Sequence, residues 1–370
     1  MSNFDEIKDR NMHINEMFKE LIENMKRKKI RTFNDDGTMN ESIKKILELE
    51  LEKCIRIYCA EYGFEMPTER LSVHEAKTRD GQINKKPELN ARGDTDGVTV
   101  YAGLQSGLDT ILPLPNVGLT SQMFEDDKIH ATRVFGKDII PTKLSGKTYV
   151  SSDRDQLDYF AELLETKKID LDFILDVFPH EAMHVFIPGQ GVLVEGTVEC
   201  FAREASDKYG LRLSPTSHSK ETAIVSRLEA ILGRDIISSI ALTNVQKEMW
   251  KDDKESIDNS RYEILKKSYD AKMGSGTFDK LKNTLDEEYY NFLSHRTKPD
   301  EFQMYRNEFF SDSIFFLDEW IKGNPDELQL PNNANDITEE RKTEIITIQD
   351  NECDLIQSLL DKLRQNDIER

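Results

Sequence analysis

The sequence predicts an α+β protein: a small mixed sheet ahead of a short buried helix, followed by a mostly helical C-terminal part. Three observations carry this expectation. Apolar residues recur at helical spacing near the N-terminus and again beyond residue 220. Between them, residues 70–76 and 97–101 alternate apolar and polar, the period of a half-buried strand. A hydrophobic stretch then runs into Pro188-Gly189-Gln190-Gly191, which stops a helix.

Taken in order, residues 4–29 place Phe4, Ile7, Ile14, Phe18, Leu21, Ile22 and Met25 on one helical face and end in Lys26-Arg27-Lys28-Lys29, where a helix dipole favours cations. Asn34-Asp35-Asp36-Gly37 is a turn, and a second helix covers residues 41–62 and ends before Gly63. Residues 147–150 suit a third strand and Asp153 to Thr166 a helix. Beyond residue 220, helices are expected over 220–232, 236–250, 255–272, 277–295 and 299–322, then a last amphipathic helix over 338–366 that packs back or dimerises. This divides the chain into an N-terminal helical segment (1–66), a central core (67–215), a helical subdomain (216–322), an Asn- and Pro-rich linker (323–337) and the C-terminal helix (338–370).

The chemistry concentrates in His180-Glu181-Ala182-Met183-His184. On a helix, positions i and i+4 share a face, so both imidazoles can converge on one metal ion while the intervening Glu lies where it can take a proton from water. Asp176 is expected to cap this helix, with Pro179 in the first turn, where a missing N–H costs nothing. The bland alternative is an amphipathic helix with two satisfied histidines.

Two histidines hold zinc poorly, and a catalytic zinc usually takes three protein ligands. The segment after the Pro-Gly stop reads as a helix carrying Glu195 and Glu199 four residues apart on one face. One serves as ligand and the other as the carboxylate behind a ligating imidazole. Glu195 ranks first as third ligand, Glu199 second, and Glu308 in Asn307-Glu308-Phe309-Phe310 third.

His180-Glu181-x-x-His184 followed by Glu195-Gly196 resembles the gluzincin branch of zinc metallopeptidases over roughly residues 145–205. The resemblance implies a zincin-like core, zinc as cofactor, His180, His184 and Glu195 as metal ligands, and Glu181 as general base and proton shuttle. The connection from His184 to Glu195 is shorter than in many such enzymes, which requires a tight turn. Glu308 lies in a stretch similar to the ligand segment of some toxin-type metallopeptidases. The metzincin pattern is absent, because Ile187 and Gln190 stand where that family has Gly and His.

Composition narrows the partners. A net charge of −20 over 370 residues argues against nucleic acid and anionic membranes. Cys54, Cys59, Cys200 and Cys353 form no metal or disulfide pattern. Met1 to Lys8 is charged from the start, and no apolar run reaches the length of a membrane span, so a cytoplasmic protein is expected unless it leaves the cell by a route with no readable signal. The expected activity is zinc-dependent hydrolysis of a peptide or protein substrate. The alternatives are hydrolysis of a non-peptide amide and a catalytically inactive scaffold. For an oxyanion donor, His218, His295, Tyr262 and Tyr269 stand in the C-terminal half and nothing selects among them. His13, His74 and His130 carry no partner pattern.

Overall fold

Helical periodicity, not strand alternation, builds the core. The computed structural model describes residues 3–30, 32, 40–67, 71–73, 102–104, 171–189, 191–213, 219–250, 253–296, 310–329 and 337–365. Helix α1 (Asn3–Lys28) starts with Asp5 and Glu6 and ends with three basic residues, both favourable to its dipole. It buries Ile7, Ile14, Phe18, Leu21, Ile22 and Met25. Helix α2 (Glu41–Tyr62) begins where the Asn40 side chain accepts from the Ser42 N–H, and it stops at Gly63, whose φ of 69° suits a residue without Cβ.

A two-stranded antiparallel ribbon, β1 (Leu71–Val73) with β2 (Ala102–Leu104), pairs Leu71 with Leu104 and Val73 with Ala102. Helices α3 (Leu171–Met183) and α4 (Val192–Tyr209) follow, then α5 (Ser219–Leu232), α6 (Arg234–Ser238), α7 (Asn244–Trp250), α8 (Lys254–Arg261), α9 (Glu263–Met273), α10 (Thr277–Arg296), α11 (Ser311–Gly323) and α12 (Glu339–Gln365). The expected α+β core with a mixed sheet is therefore corrected. Among the described residues the β structure is that ribbon, and the rest is overwhelmingly helical. Three-residue strands offer too little face to carry a helical layer. Helix α3 leans instead on α2 and α4, and the ribbon leans on α2. The expected strand at 147–150 and helix at 153–166 lie outside the described residues.

Helix α12 packs back on α1 and α2, as its apolar stripe allows, burying Ile345, Ile348, Ile356, Leu360 and Leu363. Gln349, fully buried in that seam, donates to the Ile7 carbonyl (2.9 Å) and to Asn11 Oδ1 (2.8 Å). One continuous hydrophobic cluster runs from Ile7 through α3 and α4 to Leu363. Helix α4 lies deep in it: nearly every residue of its first two turns is buried, whichever way it points. Among the described residues no helix is long and apolar enough to cross a membrane.

Candidate metal centre

Helix α3 carries Pro179 in its interior, not in its first turn, because the helix begins at Leu171. Asp176 is correspondingly not its cap; its carboxylate pairs with Arg212, which also holds Asp172 at 2.7 Å. The Tyr58 hydroxyl, fully buried on α2, donates to the Pro179 carbonyl at 2.7 Å, tying the backbone just ahead of His180 to the core.

The regular helix ends at Met183. The N–H groups of His184, Val185 and Phe186 each donate three residues back, tightening the chain into a narrow turn that carries His184. Gly189 (φ 115°) and Gly191 (φ 112°) then reverse the direction, the sharp connection the short spacing requires. Arg261 holds this reversal from outside: its buried guanidinium donates to the carbonyls of Pro188 (2.5 Å) and Ile240 (3.1 Å).

The reversal brings α4 back so that Glu195, in its first turn, faces both imidazoles. Glu195 Oε2 lies 3.5 Å from His180 Nε2 and 3.5 Å from His184 Nε2. The three donor atoms lie within 4.8 Å of one another and all three residues are buried. A tetrahedral zinc with bonds of about 2.0–2.1 Å spaces its ligand atoms about 3.3–3.4 Å apart. The observed carboxylate–imidazole separations match that edge, and they are longer than hydrogen bonds should be.

The outer nitrogens are held as well. His184 Nδ1 lies 3.1 Å from the Ile187 carbonyl, which can only accept, so Nδ1 carries a proton and Nε2 is the ring nitrogen turned toward Glu195. His180 Nδ1 lies 2.8 Å from Glu199 Oε2. Lone pairs from two rings facing a carboxylate in a buried site call for a cation. Burial alone would lower the His180 imidazole; the Glu195 and Glu199 carboxylates beside it outweigh that and hold its pKa well above the ordinary value.

Gly196 explains the Glu-Gly pair. A Cβ at this position would sit 2.4 Å from the Glu221 carbonyl oxygen and 2.7 Å from Val225 Cγ2, so the bare glycine lets α5 close against α4 behind Glu195. In an exposed helix, Gly→Ala would stabilise by about 1 kcal/mol. Here we expect Gly196→Ala to destabilise by about 1–3 kcal/mol through overpacking against backbone, read as a lower denaturation midpoint. A rise in stability would show that α5 can yield.

The structure brings together His180, His184, Glu195 and Glu199, with Glu181 half-buried in the last turn of α3. Glu308, His74, His130 and His218 lie outside the described residues. Tyr262 and Tyr269 are core residues packed around Phe278, and His13 is exposed on α1. Sequence reasoning missed Arg203, Tyr58 and Arg261. The first carries a visible signal, four residues after Glu199; the other two act across more than 70 residues of chain and leave none. Set beside protein-family models, curated proteins and solved structures, the chain matches none.

Proposed function

We propose that this protein is a zinc-dependent hydrolase of peptide bonds, with His180, His184 and Glu195 as the metal ligands and Glu181 as the general base. One observation carries the reading: a buried carboxylate oxygen stands 3.5 Å from each of two Nε2 atoms, with both rings anchored through Nδ1. Zinc held by these three residues would supply a Lewis acid that polarises an acyl carbonyl and makes water acidic enough to attack near neutral pH.

The remaining steps belong to the chain. Glu181, next to His180, accepts the proton that the attacking water gives up and delivers it to the amine nitrogen as the C–N bond breaks. Burial keeps Glu195 and the two imidazoles away from competing water. Glu195 stands in the first turn of α4, where the positive end of the helix dipole favours a negative charge. Glu199 fixes the tautomer and tilt of the His180 ring.

The test is metal content by mass spectrometry on purified protein equilibrated with zinc. Wild type should carry one zinc per chain. His184→Ala and Glu195→Ala should lose most of it, and Glu308→Ala should keep it. No uptake by folded wild type would end the enzymatic reading; loss in Glu308→Ala with retention in Glu195→Ala would reassign the third ligand.

A further inference from the structure

We infer that Arg203 is a positioning residue for this metal site, acting through Glu199; the inference rests on the zinc reading above. Glu195, Glu199 and Arg203 stand at successive four-residue steps along α4, so one helix face runs from the ligand outward to solvent. Glu199 is buried at 3% exposure. Its Oε2 lies on His180 Nδ1 at 2.8 Å, and its Oε1 accepts from Arg203 Nη2 at 2.5 Å.

The two histidines are anchored by different kinds of group. His184 leans on the Ile187 carbonyl, and a backbone carbonyl in a tight turn has little freedom to rotate. His180 leans on a glutamate side chain, which has three rotatable bonds. Clamping its second oxygen with a guanidinium removes that freedom, so Oε2 stays aimed at Nδ1. Arg203 itself is one-third exposed, so its anchor role costs the core nothing when the side chain is shortened.

Charge and geometry predict opposite signs here. As a bare cation near a cation site, Arg203 would weaken zinc binding, and its removal would tighten it. As an anchor, its removal loosens Glu199 and weakens binding. Carboxylates behind ligating histidines are typically worth about 10–100-fold in metal affinity. Arg203 stands one contact further out, so Arg203→Met should raise the zinc dissociation constant about tenfold, the low end of that range.

The experiment measures zinc affinity by competition with a chromogenic chelator on full-length wild type, Arg203→Met, Arg203→Lys, Glu199→Gln and the Glu199→Gln/Arg203→Met double variant. Arg203→Lys, which keeps the charge and one donor, should recover part of the loss. In the Glu199→Gln background Arg203→Met should change much less, because the charge-assisted hydrogen bond through which it acts is gone. Each variant should keep a cooperative melting transition without metal, so that a change in affinity is not a change in folding. Arg203→Met binding zinc as tightly as wild type, or tighter, overturns the inference, as does an equal loss in both backgrounds. Failure of wild type to bind zinc overturns the metal reading and this inference with it.

Discussion

Glu181→Gln should leave the protein folded with one zinc per chain and cut peptide hydrolysis by about 10²–10⁴-fold, the range a positioned general base contributes. Glutamine keeps the volume and hydrogen-bonding reach of glutamate but cannot accept the proton at neutral pH. Glu181 is not among the residues whose donor atoms cluster, so the metal should not notice the change. The measurement pairs zinc content with cleavage of a degenerate peptide library read by mass spectrometry, wild type beside variant. Full activity in Glu181→Gln would remove this residue from the chemistry, and loss of zinc would make it structural. His180 and His184 lack this separability, because each is both a proposed ligand and a buried side chain.

Much of the candidate site was legible because it is local. His180, His184, Glu195 and Glu199 lie within twenty residues, and helical spacing alone puts each pair on one face. The Glu199–His180 hydrogen bond follows the expectation that one of the two acids stands behind a ligating imidazole. Helices α1, α2 and α12 were legible for the same reason, since a long 3.6-residue period is hard to mistake. The sheet was not. Alternation over five residues is also compatible with short extended segments; among the described residues it leaves a three-residue pairing, whose second strand begins just beyond the expected 97–101. The helix expected over 236–250 breaks into α6 and α7 around a turn in which the Leu242 N–H donates to the Phe186 carbonyl. That partner is more than fifty residues away and invisible to local pattern. Asp176 has the chemistry of a cap, but Arg212, also distant in sequence, claims it first.

The least legible feature is a buried ionic triad, and it should make stability fall as pH rises above the ordinary carboxylate range. Lys53 on α2 donates to Glu50 Oε2 (2.6 Å) and, 299 residues away on α12, to Glu352 Oε2 (2.7 Å). All three side chains are buried. Two carboxylates and one ammonium would leave a net negative charge in the core, which a single retained proton neutralises. Burial and the neighbouring Glu50 raise the Glu352 carboxyl well above its usual range despite Lys53. Glu50 is also pushed up by burial, but Lys53 and the hydrogen bond from Glu352 prevail and hold it below the usual range.

The signs then differ. The raised Glu352 contributes stability that is complete below its unfolded pKa of about 4.5 and drains away as pH climbs toward its folded value. The depressed Glu50 contributes stability present above about 4.5 and lost on the acid side. Lys53, raised by its two partners against burial, loses its contribution only above its unfolded value, beyond the range of interest. The triad should therefore weaken as pH rises above about 4.5, with a slope of up to about 1.4 kcal/mol per pH unit for the one proton involved. Urea denaturation at about pH 5, 6.5 and 8 should reveal that slope in wild type, and Glu352→Gln, which keeps a neutral polar side chain in place, should flatten it. Removing the cation instead, as in Lys53→Met, should cost about 3–5 kcal/mol, because two buried acids lose their partner. Identical pH slopes in wild type and Glu352→Gln would mean that both carboxylates are ionised in the folded protein and that water reaches the seam between α2 and α12.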